Sequence, residues 1–211
     1  RGMRVVEPVS VIIVTDGDRA AKKAVEVAAR NIGARCISAS AGNPTVLTGG
    51  QLLQLIKAAA HDPVVVMLDD RGCHGQGKGE TALAYLARRP DIRILGVLAV
   101  ASDTQFAGGA AVNVSVNCRG ELVEGPVDKM GRPAGCRGQP LRGDTVEVLN
   151  ELNLPVVVGI GDVGKMDGAD DYSAGAPLTT KALREIIKRS GYANACCNRR
   201  TTDQAEQRSP S

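Results

Sequence analysis

Acidic residues follow two short apolar runs of the sequence, and their spacing suits a hard cation. Asp16 and Asp18 flank a glycine after the first run, and Asp69 and Asp70 directly follow a later one. Two carboxylates at i and i+2 on a turn can point at one divalent ion such as magnesium or calcium. If the two runs are neighbouring parallel strands, all four carboxylates share the edge where open α/β sheets place ligands. The sequence then predicts a metal site of Asp16, Asp18, Asp69 and Asp70.

A structural role for the same aspartates is the alternative. Asp18 precedes an Ala- and Lys-rich segment and can cap a helix there, while Asp16 can cap the turn before it. Taken alone, this pair favours capping. Two further acids on a neighbouring strand would favour a ligand, because crowded like charges raise their pKa values or require a cation. This pattern resembles the acidic cluster of Toprim domains, which bind magnesium for phosphoryl chemistry, although their first-strand glutamate has no counterpart here.

A glycine-rich turn offers a second kind of site. Residues 72–81 run into a predicted helix and contain Gly77, Lys78 and Gly79. Free backbone N–H groups at a helix start favour an anion, and a lysine adds positive charge. A flexible connection between strand and helix is the equal alternative.

A second glycine-rich segment, residues 159–166, follows the last apolar run. It contains Gly159, Gly161, Asp162 and Lys165 and fits the spacing of nucleotide-binding loops. Those loops require a helix to begin at once, whereas here a further glycine- and aspartate-rich stretch follows. We therefore set nucleotide binding aside. These four residues are candidate ligand-binding residues. A second hypothesis for this loop is that it brings them to the same edge of the sheet as the aspartates.

The elements that must position these residues alternate between strands and helices. Short, continuous apolar runs are typical of strands buried on both faces of a parallel sheet. The predicted fold class is α/β, a three-layer arrangement of a mainly parallel sheet with helices on both faces, plus a β-hairpin excursion near residues 112–124. The predicted strands cover residues 8–14, 36–38, 63–68, 93–99 and 154–158. The predicted helices cover residues 19–31, 81–89 and 144–150. A further helix is predicted to follow a capping box at 48–51, and the last helix is predicted to be capped by Thr179 or Thr180.

The same pattern predicts one α/β domain at residues 9–192. An N-terminal extension at 1–8 precedes it, and a polar tail at 193–211 without a core pattern is expected to be disordered. Residues 125–143 are rich in glycine and proline and predict a long exposed loop. A stretch of that length without regular structure is unusual in a compact domain and often functional.

Composition and charge exclude several classes of protein. The chain has 211 residues with 26 Lys or Arg and 23 Asp or Glu, a net charge of +3 that is too small to predict nucleic-acid binding. Aromatic residues make up 2%, which excludes a stacking platform for single strands. No apolar run approaches the ~18 residues of a membrane helix, no charged-then-apolar leader opens the chain, and no C-x-x-C pair occurs. We expect a cytoplasmic protein.

A series of segments, taken in order, resembles one known family. The segments are VIIVTDGD at 11–18, GARCIS at 33–38 with SAGNP at 40–44, VMLDD at 66–70, LGVLAVAS at 95–102, VNVS at 112–115, GDT at 143–145, VVGIGDVGKM at 157–166 and RSGY at 189–192. Their order and spacing resemble the stage V sporulation protein AE family, the soluble member of the spoVA group of spore-forming bacteria. The resemblance runs from about Val9 to Tyr192.

This resemblance implies a role in spore formation and germination. The membrane proteins of the spoVA group move dipicolinic acid, with its calcium, across the spore inner membrane. The family's soluble member would act beside them, in the cytoplasm of the forespore or spore or peripherally at the inner membrane. The implied partners are therefore other spoVA-group membrane proteins. The resemblance carries no catalytic residues.

Two hypotheses from different classes remain open. The first is a non-enzymatic accessory protein of a spore membrane complex, with a partner-binding surface around residues 125–143. The second is a metal- or small-anion-binding α/β protein with a Toprim-like acidic cluster. In its enzymatic form, this hypothesis predicts phosphoryl transfer. The first is preferred because of the family resemblance and because the sequence offers no credible nucleophile and base. The two are compatible if the acidic edge senses calcium or dipicolinate.

Overall fold

A computed structural model describes residues 7–71, 77–103, 109–143 and 147–192 of the chain. Within these ranges the strands are β1 (Val9–Val14), β2 (Arg35–Cys36), β3 (Val64–Met67), β4 (Ile92–Val100), β5 (Gly109–Ala110), β6 (Val114–Val116), β7 (Leu122–Val123), β8 (Leu141–Arg142) and β9 (Val157–Ile160). The α-helices there are α1 (Arg19–Asn31), α2 (Gly49–Lys57), α3 (Lys78–Ala87) and α4 (Pro177–Arg189). None of these helices has the length and apolar character that a membrane crossing requires.

The main sheet joins seven strands in the order β2-β3-β1-β4-β9-β6-β7. Every neighbouring pair in it is parallel except β6 and β7, which are antiparallel. β5 and β8 form a separate antiparallel pair. The predicted α/β class with a mainly parallel sheet is therefore confirmed.

Alternate residues of the central strand β1 face opposite layers of helices. Ile12 and Val14 belong to the apolar core that also contains residues of α1 and α4. Val11 and Ile13 belong to the core that contains residues of α2 and α3. All four side chains are fully buried. A strand covered on both faces needs apolar residues at every position, which explains the continuous runs and confirms the three-layer arrangement.

Two helix starts can be compared with their predicted caps. α2 begins with the predicted capping box, in which the side chains of Thr48 and Gln51 each bond the backbone N–H of the other. α4 begins at Pro177, a residue type favoured in the first turn. Thr179 and Thr180 lie inside this helix and are buried, so the prediction that one of them caps it is wrong.

The segment at 125–143 is more ordered than the exposed loop that the sequence predicts. A β-bridge joins Val127 to Pro133, and Leu141 pairs with β5 through β8. Val127 is 2% exposed and Leu141 is fully buried, so two apolar side chains anchor the segment to the core. We call residues 126–142 the arm.

The predicted hairpin near 112–124 is present as β6 and β7, with one difference. Its alternating pattern predicts a solvated face, yet Ser115 is fully buried and its hydroxyl donates to the Gly125 carbonyl at 2.7 Å. The reason is that β6 also pairs with β9 in the main sheet. Of the predicted helix at 144–150, the structure describes only Glu147–Asn150, which form a 3-10 turn. The predicted tail at 193–211 lies outside the described residues.

Candidate functional site

The parallel order of the central strands brings four loops to one edge of the sheet. β1 pairs with β3 and β4, and β4 pairs with β9, so the loops after these four strands leave the same C-terminal edge. β1 and β3 are therefore neighbours, as they must be if the aspartates that follow them are to lie at the same edge of the sheet. These loops, together with Asn43 and Lys129 from two other segments, line a cavity of about 130 Å³, which we call the carboxylate pocket. It is lined by Thr15, Asp16, Asp18, Asn43, Asp69, Val100, Ala101, Ser102, Lys129, Asp162 and Lys165.

Three carboxylates and a lysine meet in this pocket. Asp16, Asp18 and Asp162 each offer one oxygen, and these three oxygens lie within 4.8 Å of one another. Lys165 Nζ lies 2.6 Å from Asp18 Oδ2 and 3.0 Å from Asp162 Oδ1. Lys129 Nζ is farther away, at 3.8 Å from Asp162 Oδ2. The loop after β9 therefore does bring Asp162 and Lys165 to the aspartates of β1.

Asp16 and Asp18 also take the capping roles that were the structural alternative. Asp16 Oδ1 accepts the backbone N–H of Asp18 at 3.1 Å. Asp18 Oδ1 accepts the N–H groups of Ala20 and Ala21 at 2.8 and 2.9 Å, which caps α1. Asp18 uses its other oxygen for Lys165, so one side chain both starts the helix and faces the pocket.

The second acidic pair divides between two roles. Asp69 lines the pocket, and its carboxylate accepts the backbone N–H groups of Gly17 at 3.3 Å and Arg71 at 2.8 Å. Asp70 turns instead to the start of α3, where it accepts the N–H groups of Gly79 at 2.5 Å and Glu80 at 3.0 Å. The structure thus does not bring all four predicted ligands together.

The glycine-rich turn before α3 serves this Asp70 cap. A Cβ on Gly77 would collide with the Asp70 carboxylate, and one on Gly79 would lie 3.0 Å from the Asp69 nitrogen. The N–H group of Gly79, a candidate anion donor, already serves Asp70, and Lys78 is exposed. An internal carboxylate therefore holds the place that the sequence offers to an external anion. The earlier part of the turn, residues 72–76, lies outside the described residues.

Gly159 within β9 and Gly161 directly after it allow close packing against neighbouring segments. A Cβ on Gly159 would collide with the Ser115 hydroxyl, and one on Gly161 would lie 2.6 Å from the Gly131 nitrogen. The next residue, Asp162, donates its backbone N–H to the Lys129 carbonyl at 2.8 Å. Gly159 and Gly161 therefore position Asp162 against the arm, whereas Asp162 itself lines the pocket.

Asp170 is the supporting residue that sequence reasoning missed. It is fully buried, and its carboxylate accepts the N–H groups of Gly164, Leu178 and Thr179 at 2.9 Å each. The Thr179 hydroxyl donates to it as well, at 2.5 Å. Asp170 thus fixes the loop that carries Lys165 and caps α4. The proline at the start of α4 was the one sequence signal for where this helix begins.

Backbone strain is concentrated beside the pocket. Met166 and Asp167, which directly follow Lys165, have φ values of 49° and 53°. Arg71, which directly follows the second acidic pair, also has a φ of 53°. Side chains make this left-handed conformation costly, by roughly 1–2 kcal/mol per residue, and such residues cluster at functional sites. The loops that shape the pocket are therefore held in place by the surrounding fold.

Burial and neighbouring charge shift the ionisation of the pocket. Burial, followed by the charges of Asp18, Asp69 and Asp162, raises the pKa of Asp16 to about 7. Burial acts in the same direction on Asp18, but the hydrogen bond from Lys165 outweighs it and lowers the pKa of Asp18. Burial disfavours the Lys165 ammonium, but its bonds to Asp18 and Asp162 raise its pKa. Lys165 is therefore ion-paired with Asp18 and Asp162, beside Asp16, whose carboxyl group titrates near neutral pH.

The chemistry that this arrangement allows is limited. Carboxylate oxygens this close can bind a hard divalent cation, provided that the Lys165 ammonium gives way to it. A carboxyl group with a pKa near neutrality can also take or release a proton. The fold and this site define an α/β protein with a charged pocket at the C-terminal edge of its sheet.

Comparison with known proteins identifies the family. Residues 10–190 match the family described as stage V sporulation protein AE1, so most of the 211-residue chain is covered. The chain belongs to this family of sporulation proteins, which confirms the resemblance seen in the sequence. No curated protein and no solved structure shows a match to the chain.

Proposed function

We propose that the chain is an accessory protein of sporulation and germination that acts beside the spoVA membrane proteins. Those proteins move dipicolinic acid, with its calcium, across the spore inner membrane. Membership of the stage V sporulation protein AE1 family is the observation that carries this proposal. The proposed location is the cytoplasm of the forespore or spore, peripheral to the inner membrane. The proposed partner surface is the arm, where Arg132 and Arg137 are exposed.

Crosslinking in spores tests this partnership. A tagged chain is expected to co-purify with spoVA membrane proteins, and the double variant Arg132→Glu, Arg137→Glu is expected to reduce that recovery by about fivefold or more, since reversed charge at a contact repels the partner. The matched control is Arg30→Glu, Arg35→Glu, which reverses two exposed arginines of α1 and β2. Failure of the wild-type chain to recover any spoVA protein, even when crosslinked, would contradict the proposal.

The carboxylate pocket favours a second, compatible function, which is the binding of magnesium or calcium. The supporting observation is that oxygens of Asp16, Asp18 and Asp162 lie within 4.8 Å of one another. Asp69 lines the same pocket and adds negative charge to it. Hard divalent cations take ligands of this kind. An entering ion replaces Lys165 as the positive charge between Asp18 and Asp162. Phosphoryl transfer would additionally need a phosphorylated substrate beside that ion.

Thermal unfolding with added metal tests this second function. At a calcium or magnesium concentration about tenfold above the Kd, the Tm of the wild-type chain is expected to rise by about 3–6 °C through mass action. The double variant Asp18→Asn, Asp162→Asn is expected to lose this rise, whereas Asp167→Asn, an exposed aspartate of the same loop, keeps it. An equal rise in the double variant, or no rise in the wild-type chain at millimolar metal, would exclude the site.

A further inference from the structure

A second and larger cavity adjoins the carboxylate pocket. It measures about 610 Å³ and lies between the end of β4 and the arm. Ala101, Ser102 and Lys129 line both cavities. Cavities of roughly 300–1,000 Å³ are the size that holds small organic ligands. We call this cavity the arm groove.

The wall that the arm provides is held by backbone bonds and buried anchors. Within the arm, the Asp128 N–H donates to the Arg132 carbonyl at 2.8 Å. Where the arm rejoins the sheet, the Ser102 N–H donates to the Arg142 carbonyl at 3.1 Å. Val127 lines the groove and is buried beneath it. The arm groove is therefore a built part of the fold rather than a gap under a loose loop.

Arg142 lines the groove and is exposed. Its exposed guanidinium makes no hydrogen bond or ion pair within the part of the chain that the structure describes. Lys129, the other cation of the groove, has only long contacts, 3.9 Å to Asp103 and 3.8 Å to Asp162. The Asp128 carboxylate already accepts a backbone N–H within the arm. Arg142 thus offers the groove a planar guanidinium, which matches the oxygens of carboxylates and phosphates.

We propose that the arm groove binds a small organic oxyanion whose charged group is held by Arg142 and Lys129. This site is separate from the cation site, and it depends on neither proposed function. Because Lys129 also lies near Asp162, the bound anion has its charge beside the carboxylate pocket. The shared chemistry of the ligand is a carboxylate or phosphate group on a molecule small enough for the groove.

NMR titration of the full-length, ¹⁵N-labelled chain tests this proposal, with EDTA present so that cation binding plays no part. The probes are inorganic phosphate, glycerol 3-phosphate and succinate, each added alone. We expect at least one organic probe to shift amide signals of residues 101–103 and 126–142 in a saturable way. Arg142→Gln is expected to weaken that binding about tenfold or more, because a charged bidentate donor is lost. Arg137→Gln, another exposed arginine of the arm, is the matched control and should bind within about twofold of wild type.

The outcomes separate the ligand classes and can overturn the proposal. Tighter binding of glycerol 3-phosphate identifies an organic phosphate, and tighter binding of succinate identifies a carboxylate. The proposal fails if none of the probes gives saturable shifts at about 20 mM. It also fails if Arg137→Gln weakens binding as much as Arg142→Gln, since that indicates diffuse attraction to the arm. If Arg142→Gln gives an unfolded spectrum, Lys129→Gln is measured in its place against the same expectation.

Discussion

Replacing Asp170 by asparagine is expected to lower the free energy of unfolding by about 2–4 kcal/mol. The Asp170 side chain is fully buried and accepts four hydrogen bonds, from Gly164, Leu178 and twice from Thr179. Asparagine has one acceptor oxygen and one NH₂ group, so at least one of these donors must face another donor. A buried donor left without an acceptor is costly. Urea unfolding of the two chains measures the difference.

Asp167→Asn is the matched control for this experiment. It makes the same change in the same loop on an exposed side chain, and should alter the free energy of unfolding by less than about 0.5 kcal/mol. Because Asp170 joins the pocket loop to α4, its replacement should also speed hydrogen exchange at the amides of Gly164 and Leu178. A loss of less than about 1 kcal/mol would contradict the role assigned to Asp170.

Replacing Asp16 by asparagine is expected to stabilise the chain by about 2–4 kcal/mol at pH 8 and to change its stability little at pH 4. Burial first, and then the charges of Asp18, Asp69 and Asp162, raise the pKa of Asp16 from 3.8 to about 7. Between these two values the unfolded chain has lost a proton that the folded chain still holds. The free energy of unfolding therefore falls as pH rises through this window, by at most about 1.4 kcal/mol per pH unit.

Asparagine removes this loss because it is neutral in both states and keeps an oxygen for the Asp18 N–H. Urea unfolding in EDTA should show the difference in free energy of unfolding between Asp16→Asn and wild type growing from pH 4 to about pH 7. It should stay constant from there to pH 8. The Asp167→Asn control should show no such trend. A less stable Asp16→Asn chain at pH 8 would mean that the fold favours the ionised carboxylate, which contradicts the account.

The stability cost of Asp16 bears on the function of the pocket. A buried carboxylate that destabilises the fold above pH 4 is the kind of group that functional sites hold. A divalent cation bound there would favour the ionised form and recover the lost free energy. The Asp16→Asn chain is therefore expected to be more stable without metal and to gain less from it.

The sequence predicts all the strands that position the pocket, although the strand predicted at 154–158 lies at 157–160 in the structure. The continuous apolar runs of β1, β3 and β9 have one physical cause, burial on both faces, and a chain alternating such strands with helices forms a parallel sheet. Parallel strands end at one edge, so the sequence predicts that Asp16 and Asp69 lie at the same pocket.

Side-chain direction was harder to predict. Asp69 and Asp70 lie beyond the end of β3, and their side chains go to different places, Asp69 to the pocket and Asp70 to the start of α3. Asp162 takes the remaining place, and its approach depends on how the loop after β9 packs against the arm. That packing is set by contacts between segments far apart in sequence, which local patterns do not contain.

The arm and the cap of α4 were missed for related reasons. Glycine and proline predict irregular backbone, and the arm is irregular, but Val127 and Leu141 were the signals that it is anchored. Asp170 caps α4 from outside the helix, across a loop, so it does not follow the usual spacing of a capping residue. A long-range side-chain bond of this kind becomes visible only once the loop has a structure.

The central claim about the pocket is that a divalent cation binds among Asp16, Asp18 and Asp162, and paramagnetic broadening by manganese tests it most directly. Substoichiometric Mn²⁺ is added to the ¹⁵N-labelled chain, and the loss of amide signal is mapped by NMR. The account predicts loss centred on Asp16, Asp18, Asp162 and Lys165, and its absence from the Asp18→Asn, Asp162→Asn double variant. Broadening centred on other acidic residues, or unchanged in the double variant, would contradict it.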